Sequence, residues 1–164
     1  MNAKNSDQKI IPFLWFDGKA EEAANFYVSL FKNSKIVSII RYGDEAPGMK
    51  GKVLTVVFKL AGQKFMAIDG ARPFNFTEAL SLFVNCDTQN EVDDLWEKLS
   101  EGGQKGQCGW LKDKYGLSWQ IVPTALPKLL TGKDPQKSAR VMQALMKMNK
   151  IDIAGLKQAS LNKM

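Results

Sequence analysis

Gln120 is the residue best suited to ligand recognition in this sequence of 164 residues. It lies between Leu117 and Val122, where polar and apolar residues alternate as in a half-buried strand. The alternation puts Ser118, Gln120 and Val122 on one face and bulkier apolar residues on the other. We therefore expect Gln120 and Ser118 to line a cleft, where an amide and a hydroxyl can hydrogen-bond a small molecule.

Cys108 is the candidate for nucleophilic chemistry. The adjacent Gly109 leaves room around the thiol, and Lys105 or Lys112 would favour its thiolate form. The more ordinary interpretation is a small apolar side chain packed in a strand. The sequence leaves both interpretations open.

Aromatic and basic residues extend the candidate site. Trp110, Phe74 and Phe76 are candidates for an aromatic wall, and the guanidinium of Arg72 is suited to an anionic group. Each has an ordinary alternative, since aromatic residues commonly pack in the core and a loop arginine commonly lies at the surface.

The absence of histidine excludes several kinds of active site. Ser-His-Asp and Cys-His arrangements lack their base. Cys86 and Cys108 are far apart in sequence, which argues against a zinc ribbon or a dithiol redox motif.

Composition and charge bound the class of protein. A content of 45% hydrophobic residues in this length favours one compact domain over residues 1–164. The net charge of +6 resides after Pro123, where 8 basic residues face 2 acidic ones without interleaved aromatic rings, so we expect no nucleic-acid partner. Asp17 interrupts the richest apolar run, and the first nine residues are polar, so we expect no membrane partner and a cytoplasmic location.

The first half of the chain has the pattern of one strand, one helix and three strands. Strands are predicted at residues 10–16, 36–42, 53–60 and 64–68. The helix is predicted at 19–31, with alanines and aromatics at helical spacing and Asp17 as its N-cap.

The second half repeats this pattern at an offset of about 70 residues, since residues 13–17 align with residues 83–87. Strands are predicted at 80–84, 107–112 and 117–122, and Asp87 or Thr88 caps a helix with Val92, Leu95 and Leu99 on its buried side. An internal duplication follows, with modules at about 10–70 and 78–123.

A helical tail is predicted at residues 124–164. Pro135 begins its main helix, which carries a methionine-rich stripe and runs to about Asn149. We expect this tail to pack on the sheet or on a partner subunit.

The paired modules and two segments resemble the vicinal oxygen chelate superfamily of glyoxalases, bleomycin-resistance proteins and extradiol dioxygenases. The segments are Pro12–Gly18 and Gln107–Pro123. The chain most resembles the PhnB-like group, some members of which are named 3-demethylubiquinone-9 3-methyltransferase. The resemblance implies an α+β fold of paired βαβββ modules around a cleft, here with a helical C-terminal extension, and a homodimer.

In members of the superfamily that bind a metal, four strand positions supply the ligands. Two of these positions fall near Ile10 and Leu80 here, which have no donor atom, and Asp69 and Gln120 remain as approximate matches. Because a tightly held transition metal needs three or more protein ligands, we expect no metal site and no cofactor. S-adenosylmethionine is not expected either, since no glycine-rich turn follows a first strand.

Two functions remain open. The first is the binding of a small organic ligand without a tightly held metal, at a site that includes Gln120, Ser118, Trp110, Asp69, Arg72 and Phe74. The alternative is a glyoxalase-type lyase or transferase that uses Cys108 or a weak metal site at Asp69 and Gln120. The sequence does not decide whether a reaction is catalysed.

Overall fold

Two units of the same design follow each other along the chain, one through Phe74 and the other from Asn75. The computed structural model describes residues 8–70, 72, 74–131 and 134–161. Each unit contains a four-stranded mixed sheet with one helix against it. The α+β class and the paired βαβββ modules are confirmed, whereas the single domain over the whole chain stays a prediction.

The first unit has five elements: β1 (Phe13–Phe16), α1 (Ala20–Leu30), β2 (Lys35–Arg41), β3 (Val53–Leu60) and β4 (Gln63–Asp69). Its strand order is β1-β4-β3-β2, with β1 parallel to β4 and the other neighbours antiparallel. One face of the sheet is covered by α1, because alternate strand residues and one side of the helix are apolar. The buried residues are Leu14, Phe16, Ala20, Ala23, Ala24, Tyr27, Val53, Val56, Phe58, Leu60, Phe65 and Ala67.

The first strand and the first helix start later than the sequence pattern predicts. β1 begins at Phe13, and Ile10 lies outside the strand with 85% of its surface exposed. Pro12 separates them and lacks the N–H that a ladder requires. Helix α1 has Lys19 rather than Asp17 at its N-cap, with no side-chain cap from Lys19. The predicted cap at Asp17 is therefore wrong.

The second unit repeats the order with β5 (Ser81–Cys86), α2 (Gln89–Ser100), β6 (Gln104–Lys105), β7 (Trp110–Lys112) and β8 (Ser118–Pro123). Its strand order is β5-β8-β7-β6, again with the first and last strands parallel. Thr88 caps α2 by accepting a hydrogen bond from the Glu91 N–H at 3.2 Å, as the sequence predicts. The two-residue strand β6 was not predicted, because a run this short has no detectable period.

Three helices follow β8: α3 (Ala125–Leu130), α4 (Pro135–Leu145) and α5 (Ile153–Leu161). We call these helices and the residues that join them the C-terminal extension. Pro135 lies in the first turn of α4 after the Asp134 cap, as predicted, but the helix ends at Leu145 rather than near Asn149. The extension belongs to the second unit, where its apolar residues form a core with Val122. Of the predicted stripe, Val141 and Leu145 are buried, whereas Met142 and Met146 are largely exposed.

The helices of the described residues are all too short or too polar to cross a lipid bilayer.

Candidate functional site

Gln120 lies at the centre of a cross-strand row in the second sheet. It is opposite Phe83 of β5 on one side and Trp110 of β7 on the other. Its Nε2 donates a hydrogen bond of 2.8 Å to the Ser81 hydroxyl of β5. The carboxamide is therefore held in one orientation between two aromatic residues, and Phe83 is 52% exposed.

Strand alternation explains why these side chains share a face. Trp119 and Ile121 are buried on the side of β8 that α2 covers, so Gln120 lies on the uncovered side. We call this uncovered side the open face of the second sheet; its residues are Ser81, Phe83, Trp110, Lys112, Ser118 and Gln120. The division of β8 into two faces agrees with the alternation in the sequence.

Ser118 lies in the next row of the open face, opposite Ser81 on one side and Lys112 on the other. It is only 1% exposed, and its hydroxyl oxygen has no hydrogen-bond partner among the residues that the structure describes. A buried hydroxyl without a partner is unfavourable by about 1–3 kcal/mol.

Lys112 is engaged in an ion pair at the edge of the same row. Its Nζ lies 2.6 Å from Oε1 of Glu78, and this hydrogen bond lowers the pKa of the Glu78 carboxyl. Both side chains are partly solvated, so the pair adds little stability. The ion pair does, however, fix the position of the Lys112 ammonium group, and Lys112 pairs with Ser118 across the two strands.

A buried aspartate shapes the turn between β7 and β8. The Asp113 carboxylate accepts hydrogen bonds from the backbone N–H groups of Tyr115 and Leu117 at 2.8 and 3.0 Å. It also accepts one from the Trp119 indole at 2.8 Å. The Asp113 side chain thus reinforces the turn that places Ser118 and Gln120, where backbone hydrogen bonds also join Asp113 to Leu117 and Gly116.

Asp69 is placed at the start of α1 in the first unit. Its Oδ1 accepts a hydrogen bond of 2.8 Å from the Ala20 N–H. Burial raises the pKa of this carboxyl, and the negative charges of Asp17 and Glu21 act in the same direction. Asp69 thus performs the capping role that the sequence pattern assigns to Asp17, and its role in ligand binding stays a prediction.

The register also shows that Asp69 and Gln120 are not equivalent positions. Phe13 and Phe83 correspond at the offset of 70, and they pair with Met66 and Gln120, respectively. The repeat therefore gives Gln120 an apolar counterpart, whereas the counterpart of Asp69 in β8 is Pro123.

Arg72 and Phe74 lie beside Trp15 of β1 in the first unit. The Trp15 indole donates a hydrogen bond of 2.9 Å to the Arg72 carbonyl, and its ring meets Phe74 edge to face at 5.1 Å between centroids. The contact with Arg72 is made by its backbone carbonyl and not by its guanidinium. The roles predicted for both side chains in a ligand site stay predictions.

Cys108 is partly buried in the loop before β7, where its thiol donates to the Leu145 carbonyl at 3.6 Å. Its φ of 56° is in the left-handed region, followed by Gly109 at 83°. The thiol thus packs against the C-terminal extension. Cys86 is fully buried, and burial raises the pKa of its thiol to about 12.

No group of three or more His, Cys, Asp or Glu side chains among the described residues is arranged to hold an ion. Ile10 and Leu80 offer only hydrocarbon, and the sequence has no imidazole.

Sequence reasoning missed two of the residues that define the open face. Ser81 holds the Gln120 carboxamide and Phe83 flanks it, but the parallel pairing of β5 with β8 has no local signal. The alternation of Ser81, Phe83 and Asn85 with apolar residues was the available clue.

The paired βαβββ architecture is the fold that the resemblance implies, and comparisons with known proteins agree with it. Residues 8–122 match the model of the family described as 3-demethylubiquinone-9 3-methyltransferase. A Bacillus cereus PhnB protein that carries this family name is 47% identical over 71% of this chain and 100% of its own, with a TM-score of 0.67. A Pseudomonas aeruginosa protein of 24% identity shares the fold, over 70% of this chain and 96% of its own, with a TM-score of 0.61. Among curated proteins, none matches the chain significantly.

The chain therefore belongs to the PhnB-like family described as 3-demethylubiquinone-9 3-methyltransferase.

Proposed function

We propose that this chain binds a small organic molecule on the open face of the second sheet, without a tightly held metal. The observation that carries this proposal is the Gln120 carboxamide, which Ser81 holds between Phe83 and Trp110. The adjacent buried Ser118 hydroxyl has no partner among the described residues. The fixed amide and the flanking rings are components of a ligand site.

The arrangement favours a planar molecule with a hydrogen-bond donor. The Gln120 Nε2 is engaged with Ser81, and no hydrogen bond to its carbonyl oxygen occurs among the described residues, so that oxygen is available as an acceptor. The Ser118 hydroxyl both donates and accepts. Aromatic side chains on both sides of the carboxamide favour a flat apolar body.

Metal-independent binding is the second part of the proposal. Its support is the donor set, because hydrocarbon side chains stand at Ile10 and Leu80, where metal-binding members of the superfamily would place ligands. The family description names a methyl transfer, but the chain has no glycine-rich turn after a first strand for S-adenosylmethionine. We expect neither this cofactor nor a divalent ion to be needed.

We also propose a homodimer. Support comes from apolar side chains that remain half exposed on the sheet of the first unit, because exposed apolar residues commonly mark interfaces. They are Phe13, Val37 and Ile40. Light scattering after gel filtration measures the mass, and a monomer at micromolar concentration contradicts this part.

A fragment titration followed by amide NMR tests the binding proposal. The panel contains planar aromatic amides, phenols and carboxylic acids, with benzamide as the reference compound. We expect shifts at Gln120 and Trp110, and about tenfold weaker binding to Gln120→Leu, since one ligand hydrogen bond in a sheltered site is lost. Gln63→Leu, an exposed strand residue of the first unit, is the matched control.

Two results contradict the proposal. One is a panel that shifts no signal of the open face at millimolar concentration. The other is binding that requires a divalent ion, measured by repeating the titration after exhaustive dialysis against a chelator.

A further inference from the structure

The C-terminal extension lies outside the family match, which ends at residue 122. The Bacillus cereus relative is covered completely by 71% of this chain, so the chain carries residues that the relative lacks. The extension nonetheless makes specific contacts within the second unit.

Backbone hydrogen bonds join the extension to the loop before β7. The N–H groups of Cys108 and Gly109 donate to the carbonyls of Met148 and Asn149, both at 2.8 Å. Gly109 in turn accepts a hydrogen bond of 2.7 Å from the Ile121 N–H. The extension is thereby linked through one loop residue to the strand that carries Gln120.

Side chains of α2 also bind the extension. The Gln89 carboxamide donates to the Ile151 carbonyl at 3.1 Å and accepts from the Ile153 N–H at 2.9 Å. Lys150 forms an ion pair of 2.8 Å with Asp93. Two hydrogen bonds from one amide make Gln89 the main polar anchor.

The loop that the extension holds has a strained backbone. Cys108 and Gly109 both have positive φ, an arrangement that costs about 1 kcal/mol for a non-glycine residue. A Cβ at Gly109 would lie 2.9 Å from Cδ1 of Ile151, so the loop and the extension pack in close contact. Such a backbone persists only where its surroundings fix it.

The loop leads directly into Trp110, which flanks Gln120, and the extension also covers the end of the open face. Val122 is on the same side of β8 as Gln120, two residues further along, and it is buried in the core of the extension. The extension therefore contacts the surroundings of the proposed site at two points.

We infer that the C-terminal extension is a positioning element for the ligand site: it fixes the Cys108–Gly109 loop, and thereby Trp110, and it closes the Val122 end of the open face. Gln89 is the positioning residue that maintains this arrangement. The inference rests on the proposed function for its effect on binding, but the effect on Trp110 does not depend on any ligand.

Gln89→Ala tests the inference, with Asn90→Ala as the matched control, since Asn90 is an exposed neighbour on the same helix. The first readout is hydrogen exchange of the Cys108 and Gly109 amides. The second is the fluorine NMR signal of Trp110 in protein labelled with 5-fluorotryptophan, assigned with Trp110→Phe. We expect about tenfold faster exchange and a shifted or broadened Trp110 signal in Gln89→Ala only.

Benzamide affinity is the third readout, and we expect a loss of several-fold in Gln89→Ala. The milder variant Ile151→Val, which retains most of the apolar contact, is expected to move the Trp110 signal in the same direction. If wild-type protein binds no panel compound while Trp110 still moves, the proposed function fails and the positioning role stands. An unchanged Trp110 signal or unchanged exchange at Cys108 and Gly109 in Gln89→Ala overturns the inference.

Discussion

The Trp119 indole donates a hydrogen bond of 2.8 Å to the Asp113 carboxylate, which is 2% exposed. The same carboxylate accepts from two backbone N–H groups of the turn. Asp113 and Trp119 both lie in the segment by which the chain resembles its family. The sequence of this segment is therefore explained by formation of the turn as well as by the site residue Gln120, which follows Trp119.

Replacing Asp113 should destabilise the second unit more than removal of an exposed carboxylate does. In Asp113→Asn one amide oxygen replaces two acceptor oxygens, and an amide N–H would face the Trp119 indole N–H. We expect a loss of about 2–4 kcal/mol in the free energy of unfolding, measured by urea denaturation. Asp94→Asn, at an exposed i,i+4 ion pair with Lys98, is the control and should change stability by less than about 0.5 kcal/mol. Equal effects of the two substitutions contradict this account.

Gly70 is required because the Trp15 ring occupies the space of a side chain there. A Cβ at Gly70 would overlap the Trp15 indole, so Gly70→Ala must displace that ring from its bond to the Arg72 carbonyl. We expect a loss of about 1–3 kcal/mol from overpacking, measured by thermal or urea unfolding.

Gly43→Ala is the matched control for this prediction, because a Cβ at Gly43 would meet only the flexible end of the Glu45 side chain. In a Trp15→Leu background, the Gly70 substitution should cost much less than in the wild type. Additive effects of the two changes would show that the Trp15 ring is not the obstacle.

The two thiols should differ in reactivity. Cys86 is fully buried and its pKa is raised to about 12, whereas Cys108 is partly accessible. At about pH 8 we expect an aromatic disulfide reagent to label Cys108 in native protein and to label Cys86 only after unfolding. The Cys108→Ala variant should therefore show no rapid labelling, and rapid labelling of this variant contradicts the prediction.

The raised pKa of Cys86 also predicts a loss of stability in alkali. The native thiol keeps its proton between its ordinary pKa of 9.0 and the raised value of about 12, whereas the unfolded thiol ionises. Stability from this group is present below pH 9 and decreases as pH rises through that window. The free energy of unfolding of Cys86→Ala should decrease less steeply above pH 9 than that of the wild type.

Asp69 should make the first unit less stable as pH rises from acid to neutral. Burial raises its native pKa above the ordinary value of 3.8, so the native state binds the proton more readily than the unfolded state. This stabilisation is present below pH 3.8 and is lost as pH rises through the raised pKa. Asp69→Asn should lack that decrease, and its stability relative to wild type should therefore improve as pH rises above 3.8.

The control for Asp69 is Asp44→Asn, because the Asp44 side chain belongs to the same unit and is 85% exposed. Unfolding followed at several pH values gives the comparison. An Asp69→Asn variant whose pH profile parallels that of the wild type contradicts the raised pKa.

The order of strands and helices could be predicted from the sequence because the apolar periods are local. β3 and α2 have clear alternation or helical spacing, and Thr88 and Pro135 are local signals for helix starts. The strand β6 was not predicted because it has only two residues. The predicted start of β1 was too early because Ile10 is apolar although it lies outside the strand.

The surroundings of the site depend on pairings between residues far apart in sequence. Gln120 and Ser118 were predictable from alternation on one strand, but their partner Ser81 lies 39 residues from Gln120. Asp69 likewise caps a helix that begins 49 residues earlier. Side-chain bonds across such separations have no periodic signal, so only the three-dimensional structure reveals them.

The two halves share their strand order but differ in the side chains at equivalent positions. Strand order is the same in both halves, although Met66 occupies in one the place that Gln120 occupies in the other. One half can therefore keep polar side chains on its sheet while the other half acquires apolar ones, and the strand order stays the same. A few substitutions on an exposed strand would be enough to change the binding specificity of such a fold.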